Sequence, residues 1–218
     1  MSDDELQIRH SIVHACRRME PLGLSHGTSG NISVRCGDKL LITPSGVPYD
    51  TLSSDGIVSM DFDGGWQGEL APSSEWRFHL DIMQTRPDVN AVVHGHPLYA
   101  TSLAICRHDI PAVHYMIAAA GGATIRCAEY ATFGTQALSV NVLKAMQERN
   151  CCLLANHGMI ATGANLERAI RLASELENLA HQYVISLTIG NPCILSDTEI
   201  EKNIALFENY GPKRMPND

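Results

Sequence analysis

The chain has 218 residues, with 16 Lys+Arg against 24 Asp+Glu for a formal charge of −8, and 44% of its residues are hydrophobic. A chain of this length buries roughly 70% of the surface that its unfolded form exposes, so one compact domain over 1–218 needs neither disulfides nor a structural metal. The composition excludes a mainly disordered chain. The acidic balance speaks against nucleic-acid or anionic-membrane binding, since both need a basic face, but a single small anion needs only a local pocket. No apolar run approaches the ~20 residues that span a bilayer. The start Met-Ser-Asp-Asp-Glu lacks the basic and apolar stretches of a secretory signal. Seven cysteines, an odd set without a Cys-x-x-Cys pair, suit a reducing compartment, and a cytoplasmic protein is predicted.

Residues 4–20 carry Leu6, Ile12, Val13, Cys16 and Met19 at helical spacing, with Gly23 as the stop, and predict an amphipathic opening helix. Short β-like runs follow at Asn31 to Arg35, Leu40 to Thr43 and Ile57 to Asp61, separated by turn chemistry at 36–38 and 44–46. Trp76, Leu80 and Met83 keep i, i+4, i+7 spacing up to Pro87, with Ser73 or Ser74 as the expected N-cap. Ala91 to His94 reads as a buried strand, followed by a helix that can begin at Pro97. A helix from about Thr135 to Gln147 and a second apolar strand at Cys151 to Ala155 come next. Leu166, Ala169, Ala173, Leu176, Ala180, Tyr183 and Leu187 mark the longest helix, and Ser196 to Glu199 is a capping box for a last one. Helices mixed with short strands predict an α/β layered domain.

Chemistry concentrates at strand ends. In His94-Gly95-His96 the two imidazoles fall on one face of a strand, about 6.6 Å apart at Cα, and can converge on one ion. Gly95 leaves the opposite face free of bulk. His157, in Asn156-His157-Gly158, stands where the other apolar strand stops and is a third candidate ligand. Three His with one position open is the pattern of a catalytic zinc; two ordinary hydrogen-bonded loop histidines would give the same spacing. Glu75 reads either as a functional carboxylate or as a surface acid favoured by the helix dipole. The remaining histidines, His79 among them, read as structural. Gly27 to Asn31, Thr43 to Gly46 and Ser73-Ser74 offer N–H and O–H groups to an oxyanion and contain no basic residue. None matches a Walker loop or a dinucleotide fingerprint.

In this order and spacing, Gly27-Thr-Ser-Gly-Asn31, Thr43-Pro-Ser-Gly46, Ser73-Ser-Glu75, His94-Gly-His96 and Asn156-His-Gly158 resemble the class II aldolase/adducin-head family, over essentially the whole chain. The resemblance implies a single α/β domain with a central, mainly antiparallel sheet flanked by helices. It implies one zinc per subunit on His94, His96 and His157, with Glu75 as an additional ligand or, once substrate displaces it, the base. Thr28, Asn31, Ser45, Gly46, Ser73 and Ser74 would contact a substrate phosphate. Tyr115 would act in the site of a neighbouring subunit of a homotetramer, and a mobile tail from about 208, with Tyr210, would close over the substrate. Within the family the likeness is greatest to members that split L-fuculose 1-phosphate into dihydroxyacetone phosphate and L-lactaldehyde. The four lysines (Lys39, Lys144, Lys202 and Lys213) lie outside the motifs, which agrees with chemistry that uses no Schiff base. The family's 4-epimerases carry Asp where this chain has Glu75. Dehydratases and decarboxylases acting on related phosphorylated sugars keep the same ligands and are the alternative within the family. A scaffold like the adducin head, which loses ligands, is the alternative of another class.

Overall fold

A computed structural model describes residues 2–208. The chain enters through α1 (Asp3–Met19), whose N-cap Ser2 accepts from Glu5 N–H and whose end is followed by Gly23 at φ 70°. Strands β1 (Asn31–Cys36), β2 (Lys39–Ile42), β3 (Val58–Asp61) and β4 (Trp66–Gln67) form a meander. Helix α2 (Trp76–Thr85) leads to β5 (Ala91–Gly95), and α3 (Leu98–Ile105) leads to the short β6 (Ile110–Pro111), β7 (Thr124–Ile125) and β8 (Cys127–Ala128). The chain ends in α4 (Gln136–Ala145), the hairpin of β9 (Cys151–Leu154) and β10 (Gly158–Gly163), α5 (Leu166–Ile189) and α6 (Asp197–Glu208).

Among the described residues, eight strands make one sheet in the order β4-β3-β2-β1-β5-β10-β9-β8, and β6 pairs with β7 apart from it. Every pairing is antiparallel except β8 with β9. The sheet is buried on both sides, which is why its central strands read as continuous apolar runs. Along β5, Ala91 and Val93 join one core with residues of α1, α3 and α5, while Val92 joins the other with Phe78 of α2 and Leu138 of α4. The result is a three-layer α/β/α domain. Side chains alternate along a strand, so His94 shares the α2 side with Val92, and Gly95 faces the α1 side.

The predicted elements are present, with one consequential addition. His157 follows β9, as expected, but β9 is not the neighbour of β5. Strand β10 lies between them, paired Ile160↔His94 and Met159↔Gly95 with β5. The connection 155–157 carries Asn156 at φ 54°, a conformation that Asn tolerates. This tight turn, rather than the end of β9 alone, brings His157 back beside His94. The helix start also differs from expectation. Glu75 itself occupies the N-cap of α2 with no side-chain cap bond, and Ser73 Oγ accepts from Glu75 N–H at 3.3 Å. The Glu75 carboxylate is thereby left for other partners.

Candidate active site

His94 Nε2 lies 3.0 Å from His96 Nε2, and the rings of His94, His96 and His157 stand 4.8–4.9 Å apart in near-perpendicular pairs. One ligating atom from each falls within 4.8 Å of the other two. The Glu75 carboxylate faces the group, with Oε2 at 3.0 Å from His94 Nε2 and Oε1 at 3.3 Å from His157 Nε2. His94 Nδ1 meets the Met159 carbonyl at 2.9 Å, so Nδ1 carries the proton and donates. Nε2, the ring nitrogen left to ligate, is the one turned toward the carboxylate. Glu75 Oε1 is buried and, among the described residues, accepts no hydrogen bond. Lone pairs from two side-chain types converging on one point are stabilised by a positive charge there, and three imidazoles plus a carboxylate are the donor set of a borderline-soft divalent ion. The residues therefore fit a metal.

The electrostatics agree. Burial pushes the pKa values of His96 and His157 down to about 4, with the facing His94 adding to the effect, so both are unprotonated and able to ligate at neutral pH. Burial alone would raise the Glu75 pKa. The facing His94 and His157 and the Asn31 amide outweigh it and hold the carboxyl well below the usual carboxylate range.

Beside this cluster opens a cavity of about 350 Å³ whose wall includes all six residues expected to meet a phosphate: Thr28, Asn31, Ser45, Gly46, Ser73 and Ser74. Main-chain bonds tie the loops of this wall together, Ser73 N–H to the Thr43 carbonyl at 2.9 Å and Ser45 N–H to the Ala71 carbonyl at 3.0 Å. Gly30 ties the first loop to β5. At φ 97° it approaches so closely that a Cβ would lie 2.9 Å from the His94 carbonyl oxygen. His96, His157 and Glu75 line the same cavity, and among the described residues no Lys or Arg does. The expected metal and anion positions thus share one pocket.

Several lining residues escaped the sequence reading. Tyr130 and Phe133 reach the cavity from the segment ahead of α4, mostly exposed, and make an apolar edge. Arg77 holds that segment, donating through Nη1 to the Gly134 carbonyl at 2.8 Å. Aromatic residues in a loop carry no spacing signal, so these were legible only in three dimensions. His79, read as structural, is fully buried and bonded to Asn31 and Ser33. The available signal was its position one helical turn from Glu75. Tyr115, by contrast, begins a 3-10 turn (Tyr115–Ala120), is 46% exposed and does not line this pocket. Tyr210 lies outside the described residues.

Comparison with known proteins adds names to this geometry. Residues 10–184 match the model of the Class II Aldolase and Adducin N-terminal domain. The chain is 52% identical to a 5-methylthioribulose-1-phosphate/5-deoxyribulose-1-phosphate aldolase of Rhodospirillum rubrum, over 97% of this chain and 96% of the relative. It is 48% identical to an L-fuculose phosphate aldolase of Escherichia coli, over 94% and 96%. A solved structure of an L-fuculose 1-phosphate aldolase superposes with a TM-score of 0.91 at 41% identity, covering 95% of this chain and 98% of that one.

Proposed function

The chain belongs to the class II aldolase and adducin N-terminal domain family and is an aldolase, a carbon–carbon lyase, and from that premise we propose that it cleaves ketose 1-phosphates that end in an apolar group, L-fuculose 1-phosphate among them, releasing dihydroxyacetone phosphate. The observation that carries this reading is the placement of Glu75 between the His94 and His157 imidazoles on one side and a cavity walled by hydroxyl and glycine loops on the other. The relatives' names support it. L-fuculose 1-phosphate, 5-deoxyribulose 1-phosphate and 5-methylthioribulose 1-phosphate share carbons 1–3 and the phosphate, and each ends in a methyl or methylthio group. Tyr130 and Phe133, at the mouth of the cavity, offer that end an apolar surface.

In this reading the phosphate sits among Thr28, Ser45, Gly46, Ser73 and Ser74, near the N-terminal end of α2, with Asn31 at its inner border. His94, His96 and His157 would hold one zinc ion per subunit, and Glu75 would serve as a further ligand or, once substrate displaces it, as the base. When bound, the ion supplies Lewis-acid stabilisation of the negative charge that develops on the ketone oxygen. Glu75 moves the proton at C3. In the aldol direction it removes that proton from dihydroxyacetone phosphate, and in cleavage it returns the proton to C3 after the C3–C4 bond breaks. Tyr115 from a second copy of the chain protonates the aldehyde oxygen in condensation and takes that proton from the C4 hydroxyl in cleavage. The exposure of Tyr115 away from its own pocket supports this assignment, and a homotetramer in the cytoplasm completes the reading.

The test is a cleavage panel with zinc-loaded protein. L-fuculose 1-phosphate, 5-deoxyribulose 1-phosphate and 5-methylthioribulose 1-phosphate are expected to release dihydroxyacetone phosphate, and the unphosphorylated ketoses are not. C4 epimerisation, loss of water or loss of carbon dioxide without dihydroxyacetone phosphate would replace the aldolase reading by another reaction of the family. Zinc analysis of the purified protein, with chelation and add-back, tests the metal. Turnover that survives complete metal removal ends that part of the reading.

A further inference from the structure

The Glu75 carboxylate terminates a run of buried polar groups that extends behind the pocket. Asn31 Nδ2 donates to Glu75 Oε2 at 3.1 Å, His79 Nε2 meets Asn31 Oδ1 at 2.5 Å, and Ser33 Oγ meets His79 Nδ1 at 2.7 Å. Asn31 is 4% exposed, and Ser33 and His79 are completely enclosed. The acid end fixes the direction of every bond. A carboxylate only accepts, so Asn31 must turn its NH₂ toward Glu75 and its carbonyl oxygen toward the imidazole. That oxygen also only accepts, so His79 Nε2 must carry the ring proton. Nδ1 is then bare, and Ser33 donates to it.

We infer that His79 and Ser33 are positioning residues for Glu75: Ser33 holds the ring, and the ring's Nε2–H pins the Asn31 carbonyl oxygen, so that the N–H donor of the amide meets the carboxylate. The inference rests on the reading of Glu75 as the base. Burial lowers the His79 pKa to about 3 and keeps the ring neutral, so one tautomer must be chosen. In the other tautomer Nε2 is bare and the Asn31 amide turns over. Its carbonyl oxygen then faces Glu75 Oε2, two acceptors meet, and the carboxylate swings away from the reacting carbon. His79 touches neither the pocket nor the histidine ligands through a hydrogen bond. Its influence passes through Asn31.

Two substitutions separate positioning from mere packing in the full-length, metal-loaded protein. His79→Gln places an amide nitrogen near the position of Nε2 and retains the donor to Asn31, whereas His79→Asn reaches only toward Ser33. We expect kcat of His79→Asn to fall roughly 10–100-fold with KM little changed, and His79→Gln to recover to within about fivefold of the unaltered enzyme. Exchange of the C3 proton of dihydroxyacetone phosphate with solvent, which reads the Glu75 step alone, should fall in parallel. Equal losses in the two variants, or a loss matched by lower metal content, would reduce His79 to a structural residue and overturn the inference. If either variant fails to fold, ring ¹⁵N shifts of the unaltered protein decide: protonated Nε2 with bare Nδ1 supports the inference, and protonated Nδ1 overturns it. A protonated Nδ1 leaves Glu75 standing as the base. Normal turnover by Glu75→Gln would instead remove the base and the positioning role together.

Discussion

Replacing Gly95 by Ala tests whether the metal strand depends on a contact that only glycine permits. Gly95 lies between two proposed ligands and faces the α1 side, where an added Cβ would stand 2.3 Å from the Leu24 carbonyl oxygen and 3.3 Å from Met19 Cε. To reach even 3.0 Å from that oxygen, β5 and the loop after α1 must separate by the difference, 0.7 Å. The same carbonyl accepts from His96 N–H at 2.9 Å, so the separation strains or breaks the main-chain bond that seats a ligand. Overpacking costs about 1–3 kcal/mol, and a weakened hydrogen bond adds about 0.5–1.5 kcal/mol. For a chain of this size a destabilisation of that order lowers Tm by roughly 5–15 °C. Displacement of the ligand seat should weaken metal binding about 10–100-fold. Circular-dichroism melts of chelated protein and zinc titration against a competing chelator measure the two effects. Gly190→Ala is the control, since no described residue lies within 4 Å of its added Cβ. A Gly95→Ala protein with unchanged Tm and zinc affinity would refute the close-approach reasoning.

Glu75→Gln should keep fold and zinc while losing about 10²–10⁴-fold in kcat, the usual contribution of a general base; near-normal turnover with bound zinc would remove that role. Metal-free protein should lose stability on acidification. His79 and His157 have folded pKa values of about 3 and about 4 against 6.5 unfolded, so the unfolded chain takes up more protons between those limits. Their contribution is complete above pH 6.5 and is lost as pH falls toward 4, at up to roughly 3 kcal/mol per pH unit for two protons. A Tm that stays constant from pH 7 to pH 5 in chelator contradicts this. Of the thiols, Cys106 and Cys193 are exposed and should react first with a water-soluble disulfide reagent. Cys16, Cys151 and Cys152 are buried, with burial pushing each pKa up, Cys151 to about 12. Mass-spectrometric detection of early labelling at Cys151 or Cys152 would refute this order.

The legible parts of the molecule are those where a single local rule decides the outcome. Helical spacing places α1, α2, α4 and α5, and the two turns around 36–38 and 44–46 separate the strands of the meander. His94 and His96 were readable because strand alternation, continued one residue past the end of β5, puts both on one face. Strand β10 was not, because Gly158 and Gly163 bracket only four residues, Met-Ile-Ala-Thr, too short a run to declare a strand. Its place at the centre of the sheet comes from pairing with β5 and β9, which no local pattern encodes. Helix chemistry alone is satisfied with Glu75 at a surface dipole position. Only the fold shows that the N-cap of α2 points its side chain inward, onto groups contributed by β1, β5 and the β9–β10 turn. His79 is silent in the sequence for the same reason: a buried histidine becomes informative only through the partners of both ring nitrogens, here Asn31 and Ser33.

The acidic balance of the chain leads to a prediction about salt. A site that gathers phosphate with lysines or arginines loses substrate affinity as ions screen them. Here no Lys or Arg among the described residues lines the cavity, and the surrounding charge of −8 repels a phosphate dianion. Placing that charge about 17 Å away, the radius of gyration expected for this length, gives roughly 4 kcal/mol of unscreened repulsion in water. Screening reduces it to about 2 kcal/mol at 10 mM salt and about 0.5 kcal/mol at 150 mM. The difference is an upper bound, because the charges are spread over the surface and a bound divalent ion would offset part of them. Between 10 and 150 mM sodium chloride, kcat/KM should therefore rise by about two- to tenfold or stay level. A tenfold fall over the same range would mean that a cationic side chain gathers the phosphate, and the cradle of N–H and O–H donors would have to be abandoned.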